Sequence, residues 1–374
     1  MIRSYRYPLL PNATQTATLE RWRVACQQLY NGALEERRNG WRTFGKTQKF
    51  NYFTQAAELT ELRATDETWK DIPVRVTRSA LRRLERSFQA FFRRVKAKQT
   101  PGFPRFRARD RYDSFGVGRV SVKIDRVHLP KIGWVRFKLY RPLKGMIRNV
   151  ELRKDARGRW FVCFSCDLGE APLKVAVRNV VGIDVGLKSF ATLSNGGVVE
   201  NPRFFAAGSA LLTRRQQSLE RKRRGSRSRQ RAKRLVARAY ERIRNRRLDF
   251  ARKLSAKLCR DYDLIAHEDL NIKGLASSVL SKSIHDAAWG QFLRCLAFKA
   301  EEAGKHVIAV DPRGTTQRCS RCDADVPKDL SVRTHICDQC GYTADRDLNA
   351  AENILALGRS AVAQVNLGAE DLGN

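Results

Sequence analysis

A chain of 374 residues has room for two or three domains, and its 42% hydrophobic content supplies real cores, which excludes a disordered basic tail. Lys and Arg number 73 against 38 Asp and Glu, a net charge of +35. A dispersed surface excess of a few charges cannot account for that, so the partner is a polyanion, with nucleic acid first in line.

In chain order, residues 1–9 alternate like a short strand and stop at Pro11-Asn12. From Thr16 the period turns helical, with Leu19, Trp22, Ala25, Leu29 and Ala33 at three- and four-residue steps. Residues 60–95 read similarly, broken at Pro73 and followed by a long helix through Leu81, Leu84, Phe88, Phe91 and Phe92. Residues 101–170 change character. Gly102, Pro104, Pro130 and Pro142 punctuate β-type runs such as VSVKI, WVRFKL and RWFVCFSCDL, and the turn Asp155–Gly158 closes a hairpin. These runs predict a small β-barrel or sheet with a helical insertion in front of it.

A second shift comes near Val175. VVGIDVG reads as a buried central strand interrupted by one acid, and FATLS and GVV form a hairpin across Ser194–Gly197. Residues 221–247 hold 14 Lys or Arg and a single acid, Glu241. Beneath that charge runs a stripe of Val236, Ala239, Ile243, Phe250, Leu254 and Leu258, so one face packs and the other meets phosphates. The expected contact residues are Arg221, Lys222, Arg223, Arg224, Arg227, Arg231, Arg234, Arg242 and Arg246. DLIAHE and HVIAVD read as further buried strands around a helix at 288–303, an α/β layer. No apolar run approaches the length of a membrane span, and no signal peptide or basic amphipathic anchor opens the chain, so a soluble, intracellular protein without a membrane partner is expected.

Nine cysteines, an odd number with tight CxxC pairs, suggest metal rather than disulfides. Cys319-x-x-Cys322 and Cys337-x-x-Cys340, 14 residues apart, can converge on one tetrahedral zinc ion. Cys163 and Cys166 are read as packing residues of a strand, with no partner pair nearby. Asp184, Glu268 and Asp347 are candidates for holding two Mg²⁺ ions, since burying Asp184 unpaired in an apolar strand is costly. Each also has a plain structural reading, Asp347 as a helix cap and Glu268 as a strand-end surface acid. Asp263, Asp269, Asp286, Asp311 and Asp345 compete for the same role, and spacing does not choose among them. GIDVG also opens actin-like ATPases, but the chain offers no second Gly-rich phosphate loop and that reading leaves the charge unexplained.

GIDVG, ERIRNRRLDFARKLS, HEDL, DAAWGQF, VDPRGTTQRCSRC, ICDQCG and DRDLNAAENI occur in that order, and the amino-terminal half adds LLPN, ACQQLYNGALE, GFPRF, LPKIGWVRF, RPLKGMIRNV and GRWFVCF. Across nearly its whole length the chain thus resembles TnpB, the family of RNA-guided nucleases encoded by insertion sequences and related to type V CRISPR effectors. The resemblance selects Asp184, Glu268 and Asp347 as the catalytic ligands of two Mg²⁺ ions. It implies an α/β fold with β-barrel and helical parts: a wedge-type β-barrel (1–12 and 99–174), a helical recognition insertion (13–98) and an RNase H-like (RuvC) nuclease domain (175–374) with a zinc ribbon at about 313–343. The expected function is cleavage of guide-matched double-stranded DNA beside a short adjacent motif, by a cytoplasmic, nucleoid-associated prokaryotic protein acting as a monomeric ribonucleoprotein. One structural Zn²⁺ and a guide RNA complete the expected partners. Residues 50–80 would read the motif, with Tyr52, Gln55 and Arg78 as candidates. Two other readings stand beside this one, a non-catalytic guided binder of the repressor kind and a strand-joining transposase. The chain departs from the family at Asp323, where Gly is usual after the second ribbon cysteine, and ends soon after the last helix.

Overall fold

The computed structural model describes residues 1–45, 47, 50–329 and 331–370, except for the side chains of residues 273 and 364–370. It divides into two compact units, Met1–Glu170 and Ala171–Asn374. None of its described helices is long and apolar enough to cross a membrane.

The first unit opens with strand β1 (Ile2–Leu10), which hands over to the 32-residue helix α1 (Ala13–Phe44) at Asn12. The Asn12 side chain accepts the Gln15 N–H at 2.8 Å while the Gln15 side chain accepts the Asn12 N–H at 3.1 Å, a reciprocal cap that stops the strand and starts the helix. Helices α2 (Tyr52–Thr65), α3 (Glu67–Lys70) and α4 (Val74–Lys96) follow, with Pro73 at the N-cap of α4, where its missing N–H costs nothing.

The remaining strands are β2 (Ser114–Gly116), β3 (Val122–Lys123), β4 (Arg126–Leu129), β5 (Gly133–Phe137), β6 (Met146–Lys154) and β7 (Trp160–Asp167). They pair antiparallel in the order β2-β6-β7-β1-β5-β4-β3. β1 is the pivot of this sheet: residues 2–8 pair with β7, and Leu9 and Leu10 change partner to β5. Alternate side chains of the sheet, among them Tyr5, Tyr7, Phe115, Phe137 and Phe164, pack with Leu19, Trp22 and Tyr30 of α1 and Val76, Leu81 and Leu84 of α4 in one core. Cys166 lies in that core and Cys163 is half-buried beside it, and burial pushes both thiols up, as packing residues require.

The second unit is built on β8 (Val180–Asp184), β9 (Ser189–Leu193), β10 (Val198–Glu200), β11 (Leu264–Glu268) and β12 (His306–Val310), in the order β10-β9-β8-β11-β12. β8, β11 and β12 run parallel while β9 and β10 are antiparallel, the RNase H-like arrangement. Helix α5 (Phe204–Glu220) and the 35-residue α6 (Arg227–Asp261) form an antiparallel pair between β10 and β11. Short helices α7 (Ile272–Leu275) and α8 (Ser281–Ala287) precede α9 (Trp289–Glu302). A two-stranded ribbon, β13 (Thr334–Ile336) and β14 (Thr343–Asp345), leads into α10 (Arg346–Glu370). Val181, Ile183 and Ile265 face α6 and α9, where Ala251, Leu258, Phe292 and Leu296 cover them. Ala266 and Val310 face the other way, against Ile354 of α10.

Candidate active site and nucleic-acid interface

Strand alternation fixes where the candidate carboxylates point. Val181 and Ile183 face α6 and α9, so Gly182 and Asp184 face α10; Ala266 and Glu268 do likewise on β11. The parallel register pairs Ile183 with His267, which sets Asp184 and Glu268 side by side at the carboxyl ends of neighbouring strands. Gly182 lets α10 come close: a Cβ there would lie 2.0 Å from the Ala351 carbonyl oxygen, so any larger residue would push the helix off the strand. That helix brings Asp347 in its first turn. The three carboxylates therefore share one end of one face, although each comes from a different element.

Their electrostatics agree with this proximity. Asp184 is 9% exposed, and burial, then the charges of Glu268 and Asp347, push its carboxyl up to about 7 against the opposing pull of Arg346. Burial also raises Glu268, against a hydrogen bond that Thr315 Oγ1 donates to Glu268 Oε1 at 2.5 Å. Asp347 pairs with Arg346 at 3.1 Å and Arg333 at 3.8 Å. It is not the helix cap, because Asp345 accepts the Asp347 N–H at 2.8 Å and fills that role. The carboxylates are a looser group than the four cysteines, which alone among the described residues bring three or more ligand atoms within 4.8 Å of one another.

Most of the competing acids are occupied elsewhere. Asp286 accepts the N–H groups of Phe205 and Ala206 at the start of α5 and pairs with Arg247 at 2.9 Å. Asp263 accepts the N–H groups of Arg178 and Asn179 and pairs with Lys305 at 2.7 Å. Asp311 accepts the Arg313 N–H at 3.0 Å in a local turn.

In the ribbon, Cys319 and Cys340 Sγ lie 3.6 Å apart, as do Cys322 and Cys337. A disulfide requires about 2.05 Å, whereas zinc–sulfur bonds of about 2.3 Å in a tetrahedron place sulfurs nearly 3.8 Å apart. Distance and donor type both fit zinc thiolate. The ribbon is anchored to α10 by side chains: Asn349 bonds the Ser320 N–H at 3.0 Å and the Arg318 carbonyl at 2.8 Å, and Asn353 bonds the Thr315 and Arg318 carbonyls, each at 2.8 Å.

Each CxxC knuckle ends on a left-handed residue, Gly341 at φ +71° and Asp323 at φ +60°. Glycine adopts that conformation without strain, whereas an L side chain pays for it, Asp less than most. Asp323→Gly is expected to steady the first knuckle by about 0.5–1 kcal/mol, since the exposed Arg318–Asp323 pair it removes contributes little. Zinc transfer to a chelating dye should slow a few-fold; acceleration would contradict the account.

The nine basic candidates of residues 221–246 are all exposed, in the turn between α5 and α6 and along α6. Ala232, Ala239, Ile243, Ala251 and Leu258 form the packed face of α6, and Val236, Phe250 and Leu254 are half-buried. In the first unit, Arg78 is exposed and lines a cleft of about 720 Å³ with Arg75, Arg82, Arg86, Arg119 and Arg148. Tyr52 borders it through its hydroxyl, which accepts from Arg82 at 3.3 Å. Gln55 is a correction: it is 3% exposed and spends its amide on Arg37, Glu36 and the Ala33 carbonyl, so it cannot read a base. The arginine cleft and Thr315 escaped the sequence reading. The Arg75, Arg78, Arg82, Arg86 spacing along one helix face was the available signal for the first, and GTT directly before the cysteine pair was the signal for the second.

Family models match three segments: "Probable transposase" (OrfB_IS605) over residues 163–279, "Cas12f1-like, TNB domain" over 289–354 and "Helix-turn-helix domain" (HTH_OrfB_IS605) over 1–46. Within the last of these segments, Ile2–Leu10 form β1 and Ala13–Phe44 the uninterrupted α1. InsQ of Escherichia coli strain K12, which carries the name RNA-guided DNA endonuclease, is 31% identical over 97% of this chain and 94% of its own. A Streptomyces pristinaespiralis protein of the same designation is 33% identical over 96% of this chain and 90% of its own. Among solved structures, the cryo-EM structure of a Cas12f1–sgRNA–target DNA complex has a TM-score of 0.60 at 14% identity, covering 92% of this chain and 83% of that one. The fold is shared at that distance.

Proposed function

The chain belongs to the TnpB family of transposon-encoded RNA-guided DNA endonucleases, and from that premise we propose that it cuts guide-matched double-stranded DNA by two-Mg²⁺ hydrolysis at Asp184, Glu268 and Asp347. The observation that supports this reading is the placement of the three carboxylates toward one end of the α10 side of the sheet, where burial and then the charges of Glu268 and Asp347 raise Asp184. When bound there, divalent ions would supply an activated water and stabilise the leaving oxygen. The carboxylates would hold the ions, with Thr315 bonded to Glu268 and Arg333 and Arg346 paired with Asp347.

Guide RNA and target DNA account for the charge. The exposed arginines of α6 track phosphates, and the arginine cleft with Arg78 and Tyr52 is the place where the first unit meets the motif beside the target. The repressor-like reading keeps the charge and the ribbon but gives a cluster of like charges no task. Three buried or half-buried acids held together are an expense that bound cations offset.

The test is direct. The purified protein with its copurifying RNA, given Mg²⁺ and a library of duplexes matching the sequenced RNA, should cut only matched targets beside a common short motif. Guided binding without any strand break would instead leave the repressor-like reading, and joined element ends would leave the transposase.

Two variants refine the assignment. Thr315→Val removes the donor to Glu268 and should raise the Mg²⁺ concentration for half-maximal cleavage roughly 10–100-fold, with Thr315→Ser restoring it. No change in the metal requirement would dismiss the Thr315 role. Replacing Arg231, Arg234 and Arg242 by Gln should flatten the log–log salt dependence of RNA binding by about 0.7–0.9 per lost phosphate contact. An unchanged slope would remove α6 from the interface.

A further inference from the structure

In the first unit, a cavity of about 420 Å³ opens beside the carboxy-terminal parts of α1 and α4, lined by Trp41, Phe91, Phe92 and Phe103 with Arg38 and Arg42. Trp41 is 61% exposed and Phe92 60%, whereas Phe88 beneath them is packed into the core. The phenylalanine rings are braced: Phe91 and Phe88 each meet Phe103 edge-to-face, at 5.4 and 5.5 Å between centroids, and Phe88 stacks on Phe92 at 6.2 Å. Arg38 lies over Phe106 at 5.8 Å. The remaining arginine of the lining, Arg37, is paired with Glu85 and belongs to the core. Among the described residues, no acid lines the cavity.

Exposed, preorganised aromatic faces are costly in water and call for an occupant. A second copy of the chain is a poor one, because it brings another +35 charge and the arginine rim offers it no partner. A flat π-system flanked by negative charge fits both features, the rings by stacking and the guanidinium groups by phosphate pairing. We propose that this cavity holds an unpaired nucleobase of single-stranded RNA or DNA, stacked on Trp41 and Phe92, with its flanking phosphates on Arg38 and Arg42. Such a site reads no sequence; it selects nucleotides that are not base-paired, and so distinguishes a single-stranded stretch from the duplex phosphates that the rest of the basic surface accepts. The site goes beyond the endonuclease reading and rests on it only for nucleic acid as the partner.

The test uses the full chain freed of copurifying RNA, with three probes of about 12 nucleotides: oligouridylate, oligothymidylate and an abasic strand carrying the same phosphates. The base-bearing strands should bind roughly ten-fold or more tightly than the abasic one and quench tryptophan fluorescence. Trp41→Ala combined with Phe92→Ala, both surface changes, should erase that preference and leave abasic affinity unchanged. Arg38→Gln with Arg42→Gln should instead weaken all three probes together. A stronger effect on the uridylate arm assigns the site to RNA, and one on the thymidylate arm assigns it to a DNA strand. Equal binding of all probes by the wild-type chain overturns the proposal, as does a preference that survives the double aromatic variant, or a wild-type dimer that this variant splits. Since abasic binding is measured alongside, loss of the base preference alone leaves the nucleic-acid reading standing.

Discussion

Asp184→Asn, Glu268→Gln and Asp347→Asn are each expected to lower cleavage of a guide-matched duplex by at least about a thousand-fold, while guided DNA binding survives. The Asp184 variant separates a catalytic role from a structural one most sharply. Its carboxyl sits at about 7 in the fold against 3.8 as an ordinary side chain, so the folded protein holds a proton that the unfolded chain releases. Stability contributed by this group therefore falls as pH climbs from about 4 to 7, and the full penalty, on the order of 4 kcal/mol, is present above 7.

Asn carries no charge at any pH. The metal-free Asp184→Asn protein should melt higher than wild type at pH 8 and show a flatter pH dependence, although it no longer cuts. Mg²⁺ should raise the wild-type melting temperature at pH 8 and leave the variant nearly unmoved. Wild-type cleavage should climb with pH through about 7, as Asp184 becomes the anion that a cation needs. A variant that melts lower and loses guided binding along with cutting would mark Asp184 as a structural residue.

Why the sequence discloses this site only in part follows from how it is assembled. The strands are legible because VVGID, LIAHE and HVIAV are apolar runs of the right length with turn residues around them. Likewise Asn12 and Gln15 announce the start of α1, and the cysteine spacing announces the ribbon. The choice among eight acids is not local information. Asp286 looks as available as Asp184 until α5 is seen to start on it, and Asp345 cannot be told from Asp347 until one is found capping the other. Gly182 resembles any strand glycine until α10 lies across it.

Gln55 shows the reverse error. On a polar helix such as α2 an amide invites a recognition role, yet it faces Arg37 and Ala33 of α1 because the helices pack on that side. Periodicity also treats Phe88 and Phe92 alike, since both lie on the apolar side of α4; the fold buries one and exposes the other, because α1 and the sheet cover only part of that face.

Cys337→Ser is expected to release the zinc and, with it, most of the activity. Apart from the Asn349 and Asn353 bonds to α10, the ribbon has little else to hold it. Its apolar core is Ala324 and two of the cysteines, with Val326 and Tyr342 half-covered against them, far less than a domain needs, whereas a structural zinc site contributes about 10–16 kcal/mol. The bound metal should fall below one equivalent by atomic emission, and residues 313–345 should become the first site of limited proteolysis. The damage should not stop at the ribbon. Thr315, which orients Glu268, lies four residues before Cys319, and Asn353 holds the Thr315 carbonyl only while the segment keeps its path over α10. Arg333, a partner of Asp347, precedes β13 directly. A melted ribbon thus removes supports from two of the three carboxylates, and cleavage should fall by more than about a hundred-fold even though no triad residue is changed. Binding of RNA to the arginines of α6, which depends on none of these contacts, should persist. A zinc-free Cys337→Ser protein that cuts at the wild-type rate would disconnect the ribbon from the active site, because the hydrogen bonds from Thr315 and Asn353 would then have no functional consequence.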